Sequence, residues 1–169
     1  DLDRLQGHIG IGHTRYSTTG SSELCNAQPI MVNGIHGELT IAHNGNLVNT
    51  LSLRKELEDS GCTFNTTTDS EVIAHLLSNA PGRNWVERVG YLMRKAEGAY
   101  SLVILTKDSI LAIRDPMGVH PLCIGKRNQG WFVASESCAL DHMGAEFIRE
   151  VEPGEAIVIN VDGLRTLHK

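Results

Sequence analysis

An α+β domain built of stacked layers is the fold class this sequence predicts, and three observations carry the prediction. Leu39 and Ile41 alternate with Glu38 and Thr40 between Gly37 and His43, the pattern of a strand with one buried face. Helical patterns then follow one another with no strand between them, and from Ala99 onward only short strand-like runs remain. Strict strand–helix–strand alternation, which a doubly wound parallel sheet requires, is absent.

In chain order, the alternating segment "HIGIGHT" leads to Arg15. The strand over 37–43 runs into Asn44-Gly45, a dipeptide that favours a tight turn because a type I′ turn needs positive φ at both central positions. In "LSLRKELEDSG", Leu53 and Leu57 stand four apart and Gly61 occupies a helix C′ position. "TTTDSEVIAHLL" places Thr68 three residues before Glu71, a capping-box spacing, ahead of Val72, Ile73, Leu76 and Leu77 on one stripe; a second helix is expected to begin near Asp69. "NWVERVGYLMRKAEG" predicts a third, with Asn84 as N-cap, Trp85, Val89 and Met93 on one face, and Gly98 as its stop. These helices should cover one side of a sheet. "YSLVILT", "SILAIRD", "PLCIGKR", "GWFVASES", "EFIREV" and "EAIVINV", separated by turn residues, read as an antiparallel meander.

The 169 residues fit one domain, and the balance of 41% hydrophobic to 21% charged residues supports a packed core. Fifteen Lys and Arg against 20 Asp and Glu give a net charge of −5, and no basic cluster could track a phosphate backbone, so nucleic acid is not an expected partner. The most apolar run, "AYSLVILT", is far shorter than the roughly 20 residues of a membrane span. Cys25, Cys62, Cys123 and Cys138 lack CxxC spacing and the histidines lack HxH or HExxH spacing, which argues for reduced thiols, no metal site and a cytosolic protein.

Three polar clusters fall at predicted element ends: "GHTRYSTTG", "HNGN" and "TTTDSE". Taken singly, Arg15 reads as a surface ion pair or as a fork for a carboxylate, Asp69 as a helix cap, and Asn44-Gly45 as a turn. Taken together they describe a site for a free amino acid. An Arg meets the carboxylate and an acidic residue the ammonium, while an Asn amide and the next backbone N–H supply two donors for an oxyanion, with Gly45 letting the backbone come near.

"GIGHTRYST", "NAQP", "IAHNGNLVN" and "TDSEVIAHLL", in this order, resemble the motifs of the class II glutamine amidotransferase domain. That resemblance implies the N-terminal-nucleophile fold, a four-layer αββα sandwich. "IRDPMGVHPLCIG", "VASESCAL" and "VEPGEAIVI" look most like the branch of the family that passes ammonia to phosphoribosylpyrophosphate in purine synthesis. Tyr16 and Asn46 also favour that branch over the glucosamine-6-phosphate-forming one, while His120 departs from the Arg usual there. By resemblance, Arg15 binds the α-carboxylate of glutamine, Asp69 its α-ammonium, and Thr18 lines the same pocket. Asn44 and Gly45 form the oxyanion hole.

The family's nucleophile is an N-terminal Cys whose α-amino group, with a pKa of about 7.7 to 8.0, serves as base. The chain starts at Asp1, and its cysteines match no such opening. The resemblance therefore implies that residues 1–169 are a glutaminase-domain fragment, incomplete at the N-terminus and inactive alone. It places a phosphoribosyltransferase domain outside this chain, in a homo-oligomeric parent. It assigns no cofactor to this chain, and places Mg²⁺ and, in some members, a 4Fe–4S cluster in that outer region. The alternatives are the glutaminase domain of another class II enzyme and a binding module of the same fold without a nucleophile.

Overall fold

In the computed structural model, which describes residues 7–15 and 23–169, the alternating patterns become two antiparallel sheets. After a 3₁₀ turn at Leu24–Asn26 come β1 (Ile30–Gly34), β2 (Gly37–Leu47), α1 (Thr50–Asp59), α2 (Asp69–Ser78), α3 (Trp85–Lys95), β3 (Gly98–Leu105) and β4 (Ile110–Arg114). There follow β5 (Cys123–Arg127), β6 (Gly130–Ala134), α4 (Ser137–His142), β7 (Glu146–Glu150), β8 (Ala156–Asn160) and β9 (Gly163–His168). The large sheet has the order β1-β2-β3-β4-β8-β9 and the small one β6-β5-β7.

The period-two pattern of the strands builds the layers. Tyr100, Leu102 and Ile104 of β3, with Leu111 and Ile113 of β4, share a core with Leu53 and Leu57 of α1, Ile73 and Leu77 of α2, and Val89 and Leu92 of α3. The residues between them serve the other face, where Val103, Ala112 and Ile157 meet Leu122, Ile124 and Val151. On the far side of the small sheet Leu140 of α4 packs with Cys123 and Phe132. Gly125 fits there because a Cβ would come within 2.7 Å of Leu140 Cδ2. The order helices, sheet, sheet, helix is the expected αββα sandwich.

Several local expectations give way. Asn44-Gly45 is not a turn: β2 continues unbroken to Leu47, with Asn44 opposite Ser101 and Gly45 opposite Tyr100. Ladder bonds to a central strand outweigh a local turn preference. No capping box opens α2. The Thr68 hydroxyl pairs with Thr66 Oγ1 at 2.9 Å, and the Glu71 carboxylate accepts from the N–H groups of Asn65 (2.8 Å) and Thr66 (2.7 Å). Moreover α2 is buried on every face, not on one stripe, because it lies on β1 and β2 between the other two helices.

Asn84 does cap α3, its Oδ1 accepting from Glu87 N at 3.0 Å. Gly98, however, does not stop that helix: α3 ends at Lys95, and Gly98 opens β3 at φ +133°. "HIGIGHT" forms no strand among the described residues. Strands β1 and β9 and helix α4 have no signature in the sequence, since five or six residues with exposed members such as Met31 carry too little periodicity.

Candidate active site

The site is built where β2 ends against β3. Gly45 has φ +146°, and a Cβ there would collide with the Ala99 carbonyl oxygen and lie 2.7 Å from the carbonyl carbon. Across the same pair a Cβ on Gly98 would collide with the Asn46 carbonyl. Two side chains are omitted so that the strands can close together at this one end.

A cavity of about 610 Å³ opens there, and Arg15, Asn44, Gly45 and Asp69 all line it. Four of the five residues singled out in the sequence thus meet in one place, brought by the 7–15 segment, β2 and the start of α2. Thr18 lies outside the described residues, as does Tyr16. Arg15 is half-buried and Asn44 is exposed to the cavity. Asp69 is only 4% exposed and is not a helix cap; its Oδ2 accepts from Leu47 N at 3.0 Å and so ties the head of α2 to the end of β2. Its negative charge also suits the positive end of that helix.

Residues that the sequence reading left without a role complete the wall. Gln28, in the quoted "NAQP", holds the backbone of His43 with both halves of its amide: His43 N donates to Oε1 at 2.7 Å, and Nε2 donates to the His43 carbonyl at 3.3 Å. His13 Nε2 lies 3.2 Å from the same carbonyl, and burial lowers the pKa of His13. The ring of His43 stands 3.1 Å from Ser70 Oγ and 3.7 Å from Asp69 Oδ1. Burial holds the His43 pKa below the usual imidazole range, outweighing the opposite pull of Asp69.

His120 borders the cavity from the loop after β4. Its carbonyl accepts from Ser101 Oγ at 3.1 Å, and the fully buried Asp115 carboxylate organises the loop by accepting from the N–H groups of Met117 (2.9 Å), Val119 (3.3 Å) and Tyr100 (3.3 Å). Only the position of Gln28 beside Pro29 and of His43 beside Asn44 could have drawn attention to these residues in the sequence.

A guanidinium and a nearly buried carboxylate in one cavity complement a zwitterion. An Asn amide and a strand N–H beside them can serve a developing oxyanion. None of the four cysteines is among the described residues that line the cavity, and burial raises the thiol pKa of both Cys62 and Cys123.

Residues 13–142 match the model of the glutamine amidotransferase domain family. The chain is 48% identical over 165 residues to amidophosphoribosyltransferase 2 (chloroplastic) of Arabidopsis thaliana, covering 97% of this chain and 29% of that protein. It is 48% identical over 170 residues to the amidophosphoribosyltransferase of Methanocaldococcus jannaschii, covering 99% and 36%. The chain thus spans about a third of the length of the curated relatives it matches. Among solved structures, the glutamine phosphoribosylpyrophosphate amidotransferase of B. subtilis complexed with ADP and GMP superposes with a TM-score of 0.83 at 39% identity, over 91% of this chain and 33% of that one. With the family model matching most of its residues, the chain belongs to the glutamine amidotransferase domain family, and its relatives there are amidophosphoribosyltransferases.

Proposed function

We propose that this chain is the glutamine-handling part of an amidophosphoribosyltransferase. In that role the whole protein hydrolyses glutamine and passes the ammonia to phosphoribosylpyrophosphate, giving 5-phosphoribosylamine at the first committed step of purine synthesis. The observation that carries the reading is the meeting of Arg15, Asp69, Asn44 and Gly45 around one cavity. The names of the relatives support the acceptor.

In this mechanism Arg15 takes the α-carboxylate of glutamine and Asp69 the α-ammonium, with Thr18 as a further wall of the pocket. The two ends of the amino acid are thereby fixed, and the side-chain carboxamide is directed to Asn44 and Gly45. A cysteine thiol from the N-terminus of the whole protein, its proton taken by the α-amino group, attacks the carboxamide carbon. The carbonyl π electrons move to oxygen, and the Asn44 amide and Gly45 N–H stabilise that oxyanion. Collapse expels ammonia, which carries away the proton. Water then attacks the thioester through a second oxyanion on the same donors, releasing glutamate and the thiol.

The phosphoribosyltransferase domain, its Mg²⁺, the iron–sulfur cluster of some members and the homo-oligomeric assembly belong, in this reading, to the protein beyond these residues. The described residues hold no group of three or more His, Cys, Asp or Glu arranged for a metal, and no step above passes through one. No helix among the described residues is long and apolar enough to cross a membrane. We assign the protein to the cytoplasm on the sequence reading, although the Arabidopsis relative is chloroplastic by name.

The reading predicts that Arg15→Lys in the whole protein raises the KM for glutamine roughly tenfold or more with a smaller change in kcat, because a point charge replaces a two-toothed fork. Steady-state kinetics with glutamine measure it. An unchanged KM would remove Arg15 from the carboxylate site.

A further inference from the structure

The mechanism above gives the ring of His43 nothing to do, yet that ring is built into the site. It lies on β2 directly before Asn44 and is 4% exposed. Nδ1 has Ser70 Oγ at 3.1 Å and Asp69 Oδ1 at 3.7 Å, while Nε2 is buried, and the Ala99 backbone also acts on the ring. The Ser70 hydroxyl can accept from Nδ1 or donate to it, and the Asp69 carboxylate, which can only accept, stands just beyond hydrogen-bond reach of that nitrogen. The other oxygen of Asp69 is already held by the Leu47 N–H. The Leu47 N–H thus holds one side of the carboxylate and the His43 ring borders the other, while Gln28 keeps the backbone of His43 in place.

We propose that His43 is a positioning residue for glutamine: its neutral ring, anchored at Nδ1 to Ser70, sets the Asp69 carboxylate in the orientation that receives the α-ammonium. The inference rests on the reading of Asp69 as the ammonium site. Neutrality matters because an imidazolium 3.7 Å from Asp69 would satisfy the charge that the ligand needs. Burial, the largest influence, favours the neutral ring, as do His13 and His120; Asp69 and a hydrogen bond to the Ala99 backbone favour the charged one. Glutamine affinity is therefore steady near neutral pH and weakens in acid as the ring takes a proton.

The test compares His43→Leu, His43→Asn and Asp69→Asn in the full-length protein, with ammonia-dependent synthesis as the control for folding. An Asn amide can stand near the position of Nδ1 and hydrogen-bond Ser70 Oγ, and it carries no titrating proton. His43→Leu should raise the glutamine KM roughly tenfold, on the scale of coupling between side chains in contact, with ammonia-dependent kcat retained. His43→Asn should recover most of that loss and abolish the acid rise in KM that the wild type shows. A wild-type KM in His43→Leu, or no recovery in His43→Asn while both variants keep ammonia-dependent activity, would overturn the proposal. An unaltered KM in Asp69→Asn would overturn the reading of the ammonium site itself, and this inference with it.

Discussion

Asn44→Ala should lower glutamine-dependent turnover roughly 10²-fold or more and leave ammonia-dependent synthesis nearly intact. Removal of one oxyanion donor typically costs about 10² to 10³ in kcat, because the charge on the reacting oxygen exists only in the transition state. Asn44 is well suited to such a substitution. It is exposed to the cavity at a strand position opposite Ser101. Its truncation leaves no cavity in the core and no buried group stranded, so a folding defect is not expected. The measurement is product formation with glutamine against ammonia as nitrogen source, with the KM for glutamine followed alongside. If both activities fell together, Asn44 would be a structural residue.

Gly45→Ala should be worse, and for a different reason. The new Cβ would meet the Ala99 carbonyl, which is backbone of the paired strand and cannot rotate away. A non-glycine residue in a sparsely populated φ region also costs about 1 to 3 kcal/mol. Either β2 and β3 part at this end or the Gly45 peptide turns, and both displace the N–H assigned to the oxyanion. A displacement of about 1 Å can by itself cost about 10²-fold in rate. The expected result is a lower urea midpoint together with a loss of glutamine-dependent turnover at least as large as that of Asn44→Ala. Wild-type stability and turnover would mean that the close approach of the strands has no part in catalysis.

The residues that were legible in the sequence are those whose chemistry is local. Leu53 with Leu57, the Asn84 cap and the alternation of β3 and β4 each follow from spacing alone, and together with the change from helical to strand period they give the α+β class. The order of the layers was legible only through resemblance, since which face of β5 meets the large sheet is a long-range matter. Asn44-Gly45 shows where local reading fails. The same dipeptide that favours a tight turn sits in a continuous strand, because the ladder to β3 decides the backbone and the glycine is used for closeness instead. Thr68 and Glu71 show it again: the capping-box spacing is present, but Glu71 satisfies Asn65 and Thr66.

In the site, Arg15, Asn44, Gly45 and Asp69 could be picked out because their residue types match the two ends and the reacting centre of an amino acid. Gln28, His43 and Ser70 could not, since they act on neighbours that are distant in the chain, Gln28 on His43 across 15 positions and His43 on Ser70 across 27. A histidine or serine that touches no ligand leaves no signature in spacing.

The most direct test of the central claim is a crystal structure of the full-length protein with L-glutamate, the product, which retains both ends that the cavity is proposed to hold and is not consumed. The account predicts glutamate in the cavity between β2, α2 and the 7–15 segment, with its α-carboxylate on Arg15, its α-ammonium on Asp69, and its side-chain carboxylate within hydrogen-bond reach of the Asn44 amide and the Gly45 N–H. Glutamate bound in another place, or bound here with its side chain on Arg15 and its α-carbon beside Asn44, would contradict it.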